Sequence, residues 1–317
     1  MEKLLRLQEI LYRKATSKYN ITVIKWCSIQ CQRLTGNRIK VKWGKTMDNT
    51  KKLAIETIVD REIRRFADSY RTRFTNEVDD PDGVINSKKN NCFVAELGKE
   101  FMFYSAFVRS FDSSFGKVLE KIGNEVAKLS YDVRGNIDSF LLPQQSQHMD
   151  YIILEYEKHR KPKTTDYSEF VCMIPDDIRS FQKSHVTDHY FYNEKKKEHY
   201  LIELKAGGDL DNKKAKTEKL ALLQEYFILK NALRDRPDET VKIYFGTAYN
   251  KYGEESEWRQ ERVKQFFAEE ELLIGKDYWN FVCDDPQGFE IVFAQYAKSA
   301  GDIKETLEQI KGLYFRS

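Results

Sequence analysis

Two short runs of aromatic and branched residues constrain the fold of this chain most strongly. Residues 187–192 (TDHYFY) and 200–204 (YLIEL) flank the polar segment 193–198, and this pattern predicts a β-hairpin. Gly207 and Gly208 follow the second run. They allow a sharp turn and a close approach of the backbone to a phosphate. The sequence therefore predicts a sheet with a phosphate-accessible turn after one of its strands.

Three charged side chains belong to this hairpin. Because side chains alternate between the faces of a strand, Glu203 and Lys205 are expected on one face and Leu204 in the core, with Asp188 beside the charged pair. Two carboxylates that meet at one point repel each other unless a cation lies between them, and Mg²⁺ prefers such ligands. A lysine one pleat away orients or deprotonates a water, or contacts a phosphate. This equipment suits metal-assisted phosphodiester hydrolysis, although an ordinary ion pair on a solvated strand also explains Glu203 and Lys205.

The composition is that of an ordinary globular protein. Of 317 residues, 41% are hydrophobic and 32% are charged, which allows a large core and argues against a disordered or membrane chain. The sequence contains no apolar run long enough to span a bilayer and no secretory signal, so we expect a cytoplasmic protein without a membrane partner. Five cysteines and five histidines lack zinc-ligand spacing, which favours buried thiols over a zinc site.

The distribution of charge is more informative than the net charge of +3. Residues 33–52 contain seven basic side chains and one acid. Lys40 and Lys42 alternate there with Val41 and Trp43, as on a strand with one basic face. Such a face suits a phosphate backbone, and Lys40 and Lys42 are candidate DNA contacts. A solvated surface strand is the alternative.

A second basic segment follows the hairpin. Lys213, Lys214 and Lys216 lie just before a predicted helix at 220–233, where a DNA strand bound at the hairpin has to pass, so they are further candidate DNA contacts. A solvated first helical turn explains them equally simply. Residues 241–248 read as a buried strand, which gives the order strand, strand, helix, strand.

A helix is predicted ahead of the hairpin, between residues 110 and 129. Asp112 or Ser113 is a suitable N-cap, and apolar residues recur at helical spacing behind it. The stretch 113–120 (SSFGKVLE) resembles the first core helix of many PD-(D/E)xK nucleases, in which a glutamate faces the metal site. The resemblance implies that role for Glu120, and an exposed helix glutamate is the alternative.

The hairpin itself also resembles the PD-(D/E)xK superfamily. Asp188 corresponds to the aspartate of its motif, and Glu203 and Lys205 correspond to the (D/E)xK part. Thr187 stands where many members have proline, a position at which the family varies. The resemblance implies an α/β fold with a mixed sheet flanked by helices, and with helical N- and C-terminal additions.

The resemblance also suggests a division of the chain into regions. Residues 1–110 are predicted to be a mainly helical N-terminal region with the basic segment, 111–250 the PD-(D/E)xK catalytic core, and 251–317 a helical C-terminal region. Since no linker separates them, we expect one compact unit. The segment 272–281 (LLIGKDYWNF) is similar to stretches near the end of some type II restriction endonucleases. Together with 203–214 it makes the chain resemble the TdeIII-like group of these enzymes.

This resemblance implies a type II restriction endonuclease that acts as a homodimer on double-stranded DNA. It implies Mg²⁺-dependent cleavage at a short palindrome, with GGNCC as the candidate site and 5′-phosphate ends. Asp188, Glu203, Lys205 and Glu120 are the implied catalytic residues, and the three acids are the implied metal ligands. Two alternatives are a repair or structure-specific nuclease of the same superfamily and a DNA-binding protein without catalytic activity.

Overall fold

A mixed five-stranded sheet forms the centre of the computed structural model, which describes residues 47–159 and 163–315. The strands follow one another across the sheet in chain order. The strands are β1 (Asp132–Phe140), β2 (Gln182–Asn193), β3 (Glu198–Lys205), β4 (Thr240–Thr247) and β5 (Leu272–Ile274). The β1–β2 and β2–β3 pairs are antiparallel, whereas β3–β4 and β4–β5 are parallel.

Helices flank both faces of this sheet, which confirms the predicted α/β class. The described helices are α1 (Asn49–Glu77), α2 (Cys92–Ala95), α3 (Lys99–Ala127), α4 (Pro143–Glu157), α5 (Asn212–Ala232), α6 (Glu261–Lys264), α7 (Lys276–Cys283) and α8 (Gly288–Tyr314). Short 3₁₀ turns occupy Asn86–Asn90, Arg179–Phe181 and Glu269–Glu271. None of these helices combines the length and apolar character needed to cross a bilayer.

The predicted hairpin is confirmed as β2 and β3. Its ladder runs from Asn193 opposite Glu198 to His189 opposite Ile202. Aromatic and branched side chains in both strands favour this pairing. The last pair of the ladder is His189 opposite Ile202. The predicted acids Asp188 and Glu203 are the next residues beyond this pair, one on each strand.

Alternation along β2 and β3 divides the core into two layers. Phe191, Ile202 and Leu204 face α1, α3, α7 and α8, whereas Tyr190 and Leu201 face α4 and α5. Each such buried side chain stabilises the fold by roughly 1.5–3 kcal/mol. Because β3 alternates with a period of two, its residues 203 and 205 lie on the α5 side of the sheet.

Two predicted helix boundaries were wrong. The helix assigned to 110–129 begins at Lys99, since Phe103, Ala106 and Phe107 extend its buried stripe toward the N-terminus. Asp112 and Ser113 therefore lie inside α3 and do not cap it.

The helix predicted at 220–233 likewise begins earlier, at Asn212. The carboxylate of Asp211 accepts the backbone N–H of Lys214 at 2.8 Å and caps the helix. The basic segment is consequently the first part of α5 rather than a loop in front of it.

Helix α5 is anchored over the sheet by a buried ion pair. The ammonium group of Lys219 lies 2.7 Å from both carboxylate oxygens of Glu271 and 2.7 Å from the hydroxyl of Tyr167. The side chains of Lys219 and Glu271 are 0% and 2% exposed. These contacts fix α5 against the segment before β5, and they hold the neighbouring residue Glu218 above β3.

Candidate active site

Asp188 lies where the β2–β3 ladder ends. Its Oδ2 accepts the backbone N–H of Leu204 at 2.9 Å, so the carboxylate lies against the backbone between Glu203 and Lys205. The side-chain amide of Asn124 on α3 donates to the Asp188 carbonyl oxygen at 3.0 Å. Asp188 is thus fixed by β3 on one side and by α3 on the other.

Glu203 and Lys205 are in direct contact on the α5 face of β3. The ammonium group of Lys205 bonds to the Glu203 carboxylate, and the side chains of Lys205 and Glu203 are 30% and 14% exposed, respectively. Burial, followed by the negative charge of Asp188, raises the pKa of Glu203 to about 8. Burial by itself would lower the pKa of Lys205. The negative charge of Glu203 and its hydrogen bond with Lys205 outweigh burial, so the pKa of Lys205 is raised.

Glu120 reaches the same site from α3. Burial raises the pKa of this half-buried carboxyl, and the negative charge of Asp188 raises it further. The positive charges of Lys117 and Lys205 oppose these effects. The structure therefore brings Glu120 within electrostatic range of Asp188 and Lys205.

Two further glutamates, Glu218 and Glu225, face the site from α5. Oε1 of Glu218 lies 3.3 Å from Nζ of Lys205. Glu225 is buried, its Oε1 lies 3.0 Å from Nδ1 of His185, and burial raises its pKa. Neither residue was predicted from the sequence, although their spacing of seven places them two turns apart on one helical face.

Behind the site, His189 joins β2 to two helices. Its Nδ1 lies 2.9 Å from Oδ1 of Asn124, and its Nε2 lies 2.7 Å from the Tyr278 hydroxyl. Burial lowers the pKa of His189 to about 3, so the ring is neutral. A Cβ at Gly123 would lie 2.2 Å from the Tyr278 hydroxyl oxygen, so glycine is needed for this close approach of α3. These contacts set the position of the helix that carries Glu120.

Three of the predicted DNA contacts lie in the first two turns of α5. Lys213 and Lys214 are exposed in the first turn of α5, and Lys216 lies 3.0 Å from Glu157 of α4. Lys40 and Lys42 lie outside the described residues.

The donor set at this site fits a hard divalent cation. Four carboxylates, from Glu120, Asp188, Glu203 and Glu218, surround the ammonium group of Lys205, and burial together with repulsion from Asp188 raises the pKa of Glu120 and of Glu203. Carboxylate oxygens are the ligands that such ions prefer, and a cation relieves the repulsion. Within 47–159 and 163–315, no three His, Cys, Asp or Glu side chains surround one point at metal-ligand distance. Asp188 and Glu203 are held by a backbone N–H and by Lys205.

The mixed sheet flanked by helices is consistent with the α/β fold of restriction endonucleases. A family model described as type II restriction endonuclease, HinfI, matches residues 51–300. This range covers well over half of the chain, which therefore belongs to the HinfI family of type II restriction endonucleases. No curated protein and no solved structure gives a significant match to the chain.

Family membership establishes several of the predictions in coarse form. The protein is a DNA endonuclease that hydrolyses phosphodiester bonds in a sequence-specific manner. Enzymes of this class generally use a divalent metal. The finer assignments, to a TdeIII-like group, to Mg²⁺ and to particular residues, stay predictions.

Proposed function

We propose that this endonuclease is a Mg²⁺-dependent PD-(D/E)xK enzyme whose active site is formed by Asp188, Glu203, Lys205 and Glu120. The contact geometry around Leu204 carries this proposal: Asp188 accepts the Leu204 N–H, while Glu203 and Lys205 flank that residue on one strand face. An exposed cross-strand ion pair would explain neither the burial of Glu203 nor the raised pKa of its carboxyl.

Each residue has a distinct role in this proposal. Asp188, Glu203 and Glu120 would hold the ion, which when bound would polarise the scissile phosphate and lower the pKa of a coordinated water. The Lys205 ammonium group orients the attacking water, and Glu218 holds this ammonium group in place. Hydrolysis leaves a 5′-phosphate.

The basic segment at the start of α5 is the proposed path of the DNA backbone. Lys213 and Lys214 project there into solvent, and the N-terminus of α5 adds positive potential to theirs. Lys216, Lys40 and Lys42 are proposed as further phosphate contacts. The proposed core, residues 111–250, contains the four catalytic residues and the α5 lysines.

We also propose that two copies of the chain act together on a short palindrome, with GGNCC as the candidate sequence. A two-fold dimer presents equivalent active sites to two equivalent strands, which accounts for cleavage of both strands. The GGNCC assignment derives from the TdeIII-like resemblance alone.

Plasmid digestion with Mg²⁺, followed by sequencing of the ends, tests this function. A fixed cut sequence with 5′-phosphate ends is expected, whereas a repair or structure-specific nuclease would give dispersed ends. Asp188→Ala, Glu203→Ala and Lys205→Ala should abolish cleavage and leave DNA binding largely intact.

A matched control for these variants lies at the other end of the same strand. Glu198 on β3 bonds to Lys242 on β4 at 2.6 Å, away from the ladder end where Asp188 lies. Lys242→Ala should therefore cut normally. A catalytic-site variant that cuts as fast as this control would remove its residue from the proposed site.

A further inference from the structure

A cavity of about 360 Å³ adjoins Lys205 at the carboxyl end of the parallel strands β3 and β4. Two loops line it: residues 206–210 of the loop after β3, and Tyr249 and Lys251 of the loop after β4. The backbone N–H groups of Ala248 and Tyr249 donate to the carbonyl oxygens of Lys205 and Ala206, both at 3.2 Å. These bonds fix the two loops to each other. In open α/β sheets, ligands bind at this end of the strands.

The aromatic wall of this cavity is Tyr249, whose side chain is large and still 49% exposed. A Cβ at Gly207 would lie 2.5 Å from the Tyr249 hydroxyl oxygen. Gly208 has a φ of +67° and approaches Thr247 closely, with a Cβ position 2.6 Å from Cγ2. The two glycines therefore allow the loop to pass beneath the tyrosine ring. An exposed ring beside a cleft is a suitable stacking surface.

Two charged side chains, Lys251 and Asp209, also line the cavity. Nζ of Lys251 lies 2.8 Å from Oδ2 of Asp209, and the hydrogen bond to Lys251 lowers the pKa of Asp209. The positive charge of Arg262 also acts on Asp209, and Arg259 stacks over the neighbouring Tyr252. Because Asp209 is largely exposed, a phosphate group can compete with it for the Lys251 ammonium at low cost.

We propose that this cavity binds the nucleotide adjacent to the scissile phosphate, with its base stacked on Tyr249 and its own phosphate bound by Lys251. This inference rests on the proposed function of the Lys205 site. The volume falls within the range of about 300–1,000 Å³ that is typical of small-molecule sites. In a duplex, this contact with Tyr249 requires the nucleotide to leave the base stack, which has an unstacking cost. Stacking on the ring is tolerant of sequence because every base has a flat face. The subsite thus positions the cut strand and does not select the bases.

Single-turnover cleavage of duplexes with an abasic residue on either side of the cut tests the stacking contact. Tyr249→Ala should slow cleavage of the intact duplex about 10–100-fold, the usual effect of losing one base–aromatic stack. On one of the two abasic duplexes, the wild-type enzyme should cut slower by a similar factor than on the intact duplex. On that abasic duplex, Tyr249→Ala should cut no slower than wild type. Tyr249→Phe should behave as wild type. The subsite would be overturned if the rate losses from Tyr249→Ala and from the abasic residue multiplied when combined. It would also be overturned if Tyr249→Ala cut the intact duplex at the normal rate.

Phe293→Ala provides a matched control, since Phe293 is 55% exposed on α8 and lines no part of the cavity. It should leave the rate unchanged. Lys251→Ala should lose activity on the intact duplex but not on one that carries a neutral methylphosphonate at the adjacent position. Equal losses on both duplexes would remove Lys251 from the subsite.

A binding measurement separates the subsite from the proposed catalytic function. In the Lys205→Ala background, 2-aminopurine placed at successive positions should change its fluorescence at one position on binding, and Tyr249→Ala should remove that change. A Tyr249-dependent fluorescence change in a protein that does not cut DNA with Mg²⁺ would contradict only the proposed catalytic function. An enzyme that cuts with Mg²⁺ but shows no Tyr249-dependent change would fail only the subsite.

Discussion

Two lysine–glutamate pairs lie close together in this fold and differ in how completely their charges are satisfied. Lys219 and Glu271 are fully buried, and the ammonium bonds both carboxylate oxygens and the Tyr167 hydroxyl. Lys205 and Glu203 are only partly buried and share their surroundings with three more carboxylates. Burial lowers the pKa of Lys219, whereas the surplus of acids raises that of Lys205. The charges of Lys219 and Glu271 balance each other, which suits a structural role. The excess of acids around Lys205 instead suits the binding of a cation.

The largest expected difference between the two pairs concerns catalysis. Lys205→Ala should abolish detectable plasmid cleavage, which corresponds to a single-turnover rate lower by about 10²–10³-fold or more, the usual effect of removing one positioned donor. Its melting temperature should change little, because Glu203, with a pKa of about 8, readily takes up a proton. Single-turnover rates and thermal melts of the same preparation measure both effects. A variant that unfolds while its folded fraction cuts normally would mean that Lys205 is structural.

The buried pair should show the opposite behaviour. Lys219→Ala leaves Glu271 buried without its partner, which costs about 3–5 kcal/mol of unfolding free energy. Denaturant titration measures this loss. Lys219→Met combined with Glu271→Leu should recover part of it, because no buried charge remains. Double-variant stability no higher than that of Lys219→Ala would contradict the assignment of a structural ion pair.

The raised pKa of Glu203 gives the comparison a pH dependence. In metal-free protein, the contribution of Glu203 to stability is fully present below its unfolded pKa of about 4.5 and is lost as the pH rises through about 8. The melting temperature should therefore fall over this interval more steeply for wild type than for Glu203→Gln. Mg²⁺ should restore stability at pH 8 in wild type only. Identical melting profiles of the two proteins would place Glu203 outside the acidic cluster.

The smallest expected effect concerns Glu218. Glu218→Gln removes a partly exposed partner of Lys205 at 3.3 Å, and such pairs contribute roughly 0.2–1 kcal/mol. Cleavage should slow by up to about 5-fold, and the alkaline limb of the pH–rate profile should shift to lower pH because Lys205 loses a negative neighbour.

Glu157→Gln is the control for this variant. Glu157 also pairs with a lysine of α5, Lys216, at 3.0 Å, but it makes no contact with Lys205. Its pH–rate profile should match that of wild type. A shift of equal size in both variants would show that the effect of Glu218 is not specific to the site.

Much of the candidate site was predictable because its residues are close in sequence and lie on regular strands. Glu203 and Lys205 share a face through strand alternation alone, and the β2–β3 turn brings Asp188 to the same end of the hairpin. Glu218 was not predictable in this way. Its approach to Lys205 depends on how α5 crosses the sheet, and the buried contacts of Lys219 set that crossing.

The amino-acid sequence alone is enough to predict the hairpin, the order of the helix and strand that follow it, and the shared strand face of Glu203 and Lys205, since local periodicity and turn residues encode these features. The edge strand β1, by contrast, depends on tertiary pairing: its segment DVRGNIDSF is rich in residues unfavourable to strands and forms one by pairing with β2. The tertiary structure also decided the start of α3, which long-range burial of Phe103 and Phe107 extends past its predicted cap. Local patterns record the periodicity of a segment, whereas contacts between distant segments choose its boundaries and neighbours, because burial rewards pairings that no short stretch of sequence contains.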